Sequence, residues 1–352
     1  MSLPVKTLIL SGSAASEMER NLWTDQYVSA AMKTNGQTEP IRIRYRGGHT
    51  REYPKRSYDV MRGEETFHYN AEYDDPSLIR NALSFVFFPM IGVPAPRSRH
   101  VLLYRNSTPL GVYLEIESVG RRFFRRRGIG AISLFYAINN MANFSLFRSE
   151  SGEPKSSLLA GYEYRFGGEK ERGRLASFIR GFQHLSGKEA AAYFQEHLDV
   201  DNYLRWLAGA VLTGNYDGFE QNYSIYRHRR TGKYRMIPWD YEGTWGRNCY
   251  GQIQEDTLVP ITGYNYLTQK LLEHRPYRAK YGSILSQALK GPFTESKLLP
   301  IARRMMAAIR PHVRDDSLRR WSYDDFRGET ELIRRYIRVR RAMVARALDE
   351  LA

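Results

Sequence analysis

Ile41-Arg42-Ile43-Arg44-Tyr45 alternates apolar and polar positions and runs into Gly47-Gly48, which predicts a half-buried strand closed by a tight turn. Ser57 to Met61 is the expected returning strand. Asp75-Pro76-Ser77 carries a helix start, with a carboxylate to cap and a proline suited to the first turn. Leu78, Ile79, Ala82, Phe85 and Val86 carry that helix to about Phe88, before Pro89. Two strands follow, His100 to Arg105 and Gly111 to Glu117, joined by Asn106 to Pro109. The second part of the chain is mainly helical. Asp199 caps a helix that places Val200, Tyr203, Leu204, Leu207, Ala208, Val211 and Leu212 on one face, and Gly214 ends it. A hairpin comes next: Asn222 to His228, a turn at Arg230-Thr231-Gly232, then Lys233 to Trp239. The last helix is expected from Glu329 to Leu351. Ser149 to Lys155, and Glu163 to Gly173 with its three glycines, read as loops that mark a border between lobes.

These elements describe an α+β protein. A length of 352 residues at roughly 150 per domain suggests two lobes, expected here at 1–118 and 119–352. An apolar content of 42% supplies a sizeable core and excludes global disorder. The single cysteine, Cys249, excludes a disulfide framework and a cysteine-rich zinc site. It reads as a small half-buried residue, because no His or second Cys sits nearby to make a thiolate. No apolar run approaches the roughly 18 residues of a membrane span, so no membrane partner is expected. The start, Met1 to Leu10, lacks a basic region and reads as a poor leader. The formal charge is +15, carried by 42 Arg and only 11 Lys against 38 acidic residues. It raises the question of nucleic acid, but a generally basic surface is the simpler reading and no nucleic-acid partner is expected.

The most informative segment is Gly214-Asn215-Tyr216-Asp217-Gly218-Phe219-Glu220-Gln221-Asn222, followed by Ile237-Pro238-Trp239-Asp240-Tyr241-Glu242-Gly243. Asp217 and Asn222 have the D-x-x-x-x-N spacing of a kinase catalytic loop, where Asp takes a hydroxyl proton and Asn holds Mg²⁺. With the hairpin turn centred on Thr231, paired positions sum to 462, which sets Asn222 opposite Asp240. Two hard oxygen donors at adjacent strand ends suit Mg²⁺. Asp and Asn are also common turn residues, so the spacing alone fits a structural role as well. In the first lobe, Arg46 and Gly47 sit where a strand enters a turn that lets backbone amides approach phosphates. Lys55, at the start of the next strand, is placed to pair with them. The competing reading for Lys55 is a solvated hairpin lysine.

The run Asn70-Ala71-Glu72-Tyr73-Asp74-Asp75-Pro76-Ser77-Leu78-Ile79-Arg80-Asn81 resembles the CotH family of bacterial spore coat proteins. So do Gly111-Val112-Tyr113-Leu114-Glu115, Leu204-Arg205-Trp206-Leu207-Ala208-Gly209, the Asn-Tyr-Asp-Gly-Phe loop and Pro238-Trp239-Asp240-Tyr241, in matching order from near Leu10 onward. The resemblance implies an atypical two-lobed protein-kinase-like fold, with a mixed α/β N-lobe and a mainly helical C-lobe. It implies phosphorylation, dependent on ATP and Mg²⁺, of Ser residues in Ser-rich spore coat proteins, in the mother-cell cytoplasm and the spore coat. By position it makes Asp217 the catalytic Asp, Asp240 a metal ligand, Asn222 the Asn after the catalytic loop, and Lys55 the nucleotide lysine. The family's second Asp after the Trp is Glu242 here, which keeps the charge with one methylene more and stands as a possible metal ligand. The helix from Pro76 to Phe88 contains no Glu to partner Lys55, so Glu72, Asp74 and Asp75 are the candidates. Glu117 is placed in the segment joining the lobes, near the adenine. A coat scaffold that binds nucleotide without transfer is the alternative.

Overall fold

The computed structural model describes residues 2–255 and 257–351; Met1 and Ala352, the ends of the expected lobes, lie outside them. It divides into two compact units that are discontinuous in sequence. The first comprises Met1–Leu83, Pro96–Val119 and Pro300–Glu331. The second comprises Ser84–Ala95, Gly120–Leu299 and Leu332–Ala352. This differs from the continuous split at 118/119 in two places. Ser84–Ala95 goes with the second unit because its Phe85, Phe87 and Phe88 rings meet Trp239, Trp245 and Tyr241 there. Pro300–Glu331 goes with the first because Asp316 engages Lys55 and Glu329 engages Arg80.

The first unit is built on seven strands: β1 (Val5–Ile9), β2 (Val28–Thr34), β3 (Gln37–Arg46), β4 (Ser57–Arg62), β5 (Glu65–Asn70), β6 (Ser98–Arg105) and β7 (Thr108–Glu117). They close into a barrel in the order β1-β2-β3-β4-β5-β7-β6, the β1–β6 seam being parallel and the rest antiparallel. Alternation drives the closure. Leu8, Met32, Ile43, Tyr45, Val60, Tyr69, Val101 and Leu103 point inward and are buried in one core. Helix α1 (Gly12–Arg20) adds Ala14 and Met18 to that core. The turn expected at Gly47-Gly48 is a longer connection holding a short 3₁₀ segment, His49–Glu52. Helix α2 (Arg80–Met90) begins later than its proline signal suggests. Leu78 takes a left-handed backbone (φ 60°), and the Asp75 carboxylate accepts from the Ser77 and Arg80 amides at 2.8 and 2.9 Å.

The second unit holds a four-stranded antiparallel sheet, β11-β10-β8-β9, from β8 (Ala131–Ala137), β9 (Tyr162–Phe166), β10 (Tyr223–His228) and β11 (Tyr234–Pro238). Helices α3 (Arg121–Arg126), α4 (Glu169–Gly181), α5 (Gly187–His197), α6 (Val200–Thr213), α7 (Tyr266–Leu272) and α8 (Arg275–Lys290) belong to it. α9 (Glu295–Val313) and α10 (Tyr323–Ala347) run through both units. Glu163 to Gly173 is therefore not a loop. Tyr162, Tyr164 and Phe166 alternate along β9 against β8, Gly167 and Gly168 make the corner, and the charged first turn of α4 follows. α6 matches its sequence signals closely. Asp199 caps it by accepting from the Asn202 amide at 3.0 Å, and Gly214 ends it in the left-handed region at φ 71°.

Candidate active site

α6 delivers the chain to the loop that carries Asp217. Gly214 is required there twice. Its φ is positive, and a Cβ on it would lie 2.4 Å from the Tyr336 hydroxyl, which donates to the Leu212 carbonyl at 2.9 Å. Asn215, buried, then ties the loop to the strand end beyond β11. Its side-chain amide donates to the Asp240 carbonyl at 3.4 Å. Gly218 leaves room for that amide, since a Cβ there would meet it at 2.7 Å.

Asp217 is half-buried in this loop, and burial pushes its carboxyl above the ordinary aspartate range. The nearby Cys249 thiol opposes the rise. The thiol is itself pushed up to about 12, first by burial and then by the Asp217 and Glu242 charges. Gly243 lets Cys249 come this close, because a Cβ there would stand 2.6 Å from the Cys249 amide nitrogen.

The hairpin register differs by one residue from the expected one. Tyr223 pairs with Pro238 and Arg227 with Tyr234, so paired positions sum to 461 and Asn222 faces Trp239. The cause is a four-residue turn: the His228 amide donates to the Lys233 carbonyl at 2.9 Å, leaving 229–232 as the loop. A one-residue slip in an extended strand would turn the two side chains to opposite faces. Here both residues leave extended geometry, with φ 59° at Asn222 and 57° at Asp240. Asn and Asp adopt this region more readily than other side chains, at a cost that is tolerated where function demands it. Among the described residues, no group of three or more His, Cys, Asp or Glu side chains is gathered to hold a metal. The donors present, carboxylates with an amide oxygen, are nonetheless the hard-oxygen type that Mg²⁺ takes, with few protein ligands needed.

In the first unit, Lys55 is not a solvated hairpin lysine. Its side chain is 0% exposed, and its ammonium donates to Asp316 at 2.5 Å and to the Val112 carbonyl at 2.9 Å. The Tyr113 ring lies 5.0 Å away. Asp316 also accepts from the Val112 amide at 3.1 Å. The partner of Lys55 is thus Asp316 and not Glu72, Asp74 or Asp75. Asp74 engages Arg320, Asp75 engages Arg80, and the Glu72 carboxylate accepts from Asn81 at 3.1 Å. Arg46 reaches Asn70 at 2.8 Å and Asp59 at 3.5 Å. Gly47 has φ 105°, and its carbonyl accepts from Arg51 at 2.7 Å. Glu117 ends β7 two residues before the first unit gives way to the second, and its carboxylate accepts from the Arg97 amide at 3.1 Å.

A family model described as CotH kinase protein matches residues 43–344. The chain belongs to this family. It is 37% identical over 346 residues to the inner spore coat protein H of Bacillus subtilis (strain 168), with 96% of each chain covered. It is 27% identical over 267 residues to the inner spore coat protein H-like protein of the same organism, covering 74% of this chain and 75% of that one. Among solved structures it is similar to the Helicobacter pylori proinflammatory kinase CtkA, at 11% identity and a TM-score of 0.30, over 80% of this chain and 94% of that one.

Within this CotH-family chain, two residues escaped the sequence reading. Asn215 stood in the quoted loop without a role. Asp316 lies 261 positions from Lys55, and no local pattern joins them. Cys249 is half-buried, as expected.

Proposed function

We propose that the chain is a protein kinase of the spore coat, with an atypical kinase-like fold, that phosphorylates Ser residues of coat proteins using ATP and Mg²⁺. The observation that carries this reading is the Asp217 loop. A carboxyl with a raised pKa sits between a helix end and a hairpin whose two flanking residues, Asn222 and Asp240, hold left-handed backbones. The family's name as a kinase and the relative's name as a coat protein support the reaction and its setting.

Bound Mg-ATP would supply the phosphoryl group and the cation that offsets its charge. Asp217 orients the substrate hydroxyl and accepts its proton. The raised pKa makes its carboxylate a stronger base than an ordinary aspartate. Asp240 and Asn222 are the residues that would hold the metal, with Glu242 as a further carboxylate. Lys55 already donates to Asp316 and Val112 and is closed from solvent, so a phosphate would have to open that contact to reach it. Arg46 and the Gly47 turn are the other phosphate candidates, and Glu117 the candidate on the adenine side.

The test is transfer of label from the γ-position of Mg-ATP to a purified coat protein. Incorporation is expected with the wild type and is expected to be lost in Asp217→Ala and Asp240→Ala. Wild-type turnover in either variant would remove these residues from the reaction. ATP binding without transfer to any coat protein would favour the scaffold reading.

A further inference from the structure

The first unit carries a cavity that the proposed chemistry does not use. It opens at the end of the barrel where β1 and β6 begin and β2 and β4 end, with a volume of about 770 Å³. Four strands each bring one cation to its lining: Lys6 from β1, Lys33 from β2, Arg62 from β4 and Arg99 from β6. No described carboxylate lines it.

The charges around this space do not balance. Lys6 and Arg99 share one carboxylate, Glu115, which Arg99 meets at 2.6 Å. Arg62 pairs with Glu39 at 2.5 Å. Lys33 is exposed and has no ion pair among the described residues. The four lining cations thus have ion pairs to only two carboxylates. Arg99 and Arg62 are near enough to Lys6 that both add to the effect of burial in lowering its pKa. Lys6 itself is buried, bonded to Glu115 and to the Tyr69 hydroxyl at 3.1 Å, so it is fixed in place. Lys33 and Arg99, whose side chain is 55% exposed, are the groups that an incoming anion meets.

A lining with four cations and no described carboxylate suits an anion. A phosphate monoester carries about −1.5 to −2 at neutral pH and presents three acceptor oxygens. The volume lies within the roughly 300–1,000 Å³ of ligand clefts. It is larger than a lone phosphate needs, which leaves room for flanking residues. We propose that this barrel-end cavity binds a phosphorylated serine within a polypeptide segment. The anion preference rests on the four cations. The choice of phosphoserine rests on the kinase reading, whose product it would be.

The test is fluorescence anisotropy of the full chain with a labelled synthetic peptide bearing one phosphoserine, beside the same peptide with serine. The phosphopeptide is expected to bind at least tenfold more tightly. The Lys33→Ala/Arg99→Ala double variant is expected to lose at least tenfold in affinity, and Lys33→Ala alone, which breaks no ion pair among the described residues, to lose affinity with an unchanged melting temperature. Lys33→Glu alone, at an exposed position, is expected to lose affinity too, and Lys33→Arg to keep it. Equal binding of both peptides, or binding indifferent to these variants, would overturn the proposal. So would displacement by inorganic phosphate at the peptide's own concentration, which would mean a small-anion site only. Displacement by an oligonucleotide at that concentration would mean a nucleic-acid site instead. No turnover is read, so a failed phosphorylation assay and a failed binding assay remain distinct results.

Discussion

At Asp217 two effects oppose each other. Burial raises the carboxyl pKa and the Cys249 thiol lowers it, and burial prevails. The sign of the consequence follows from linkage. A carboxyl whose folded pKa exceeds its unfolded value makes the fold less stable as pH rises from the unfolded pKa through the folded one. The penalty is absent below the unfolded pKa and complete above the folded pKa. Asp217→Asn removes it. The variant should lose roughly 10²–10⁴-fold in transfer rate, yet melt above the wild type at neutral pH. The two melting curves should converge in acid. A lower melting point for the variant at neutral pH would contradict the raised pKa. At this scale the spacing of one loop and one hairpin singles out Asp217, Asn222 and Asp240 as candidates, while their exact facing depends on a turn length that the spacing does not fix. The pairing of Asp316 with Lys55 was not legible, because 261 positions separate them.

At the scale of elements, legibility depended on whether end signals and face agree. α6 has a capping Asp199, a continuous apolar face and a terminal Gly214, and its bounds follow from them. α10 begins six residues before its expected start because a capping pair stands there. Ser322 and Asp325 cap each other, the Asp325 amide meeting the Ser322 hydroxyl at 3.1 Å and the Ser322 amide meeting the Asp325 carboxylate at 2.9 Å. The hairpin register slipped because turn length cannot be read from Arg230-Thr231-Gly232 alone. In β7, Gly111 has φ 91°, and a Cβ on it would lie 2.1 Å from the Asp316 carboxylate. Gly111→Ala should therefore push Asp316 away from Lys55 and destabilise the chain by roughly 1–3 kcal/mol. Urea unfolding checks this, and an unchanged midpoint would contradict the packing of Asp316 on β7.

At the scale of the molecule, the excess of arginine is partly structural. Arg80 is fully buried between Asp75 at 2.5 Å and Glu329 at 2.6 Å. In α10, Arg340 donates to the Val211 carbonyl at 3.0 Å and to Val259 at 2.7 Å, while Arg341 donates to Leu289 and Phe293. These guanidiniums satisfy internal carbonyls and carboxylates, so a net charge of +15 overstates what the surface offers a polyanion. The α+β class was legible from the segregation of strands and helices. The discontinuous units were not, because the return of Pro300–Glu331 to the barrel depends on side chains far apart in sequence.

The central claim is phosphoryl transfer through Asp217, and mass spectrometry of a coat protein incubated with Mg-ATP and this chain tests it most directly. The account predicts serine residues heavier by one phosphoryl group each, and an unmodified coat protein when Asp217→Asn replaces the wild type. Serines carrying an adenylyl group, or equal phosphorylation by the Asp217→Asn variant, would contradict it.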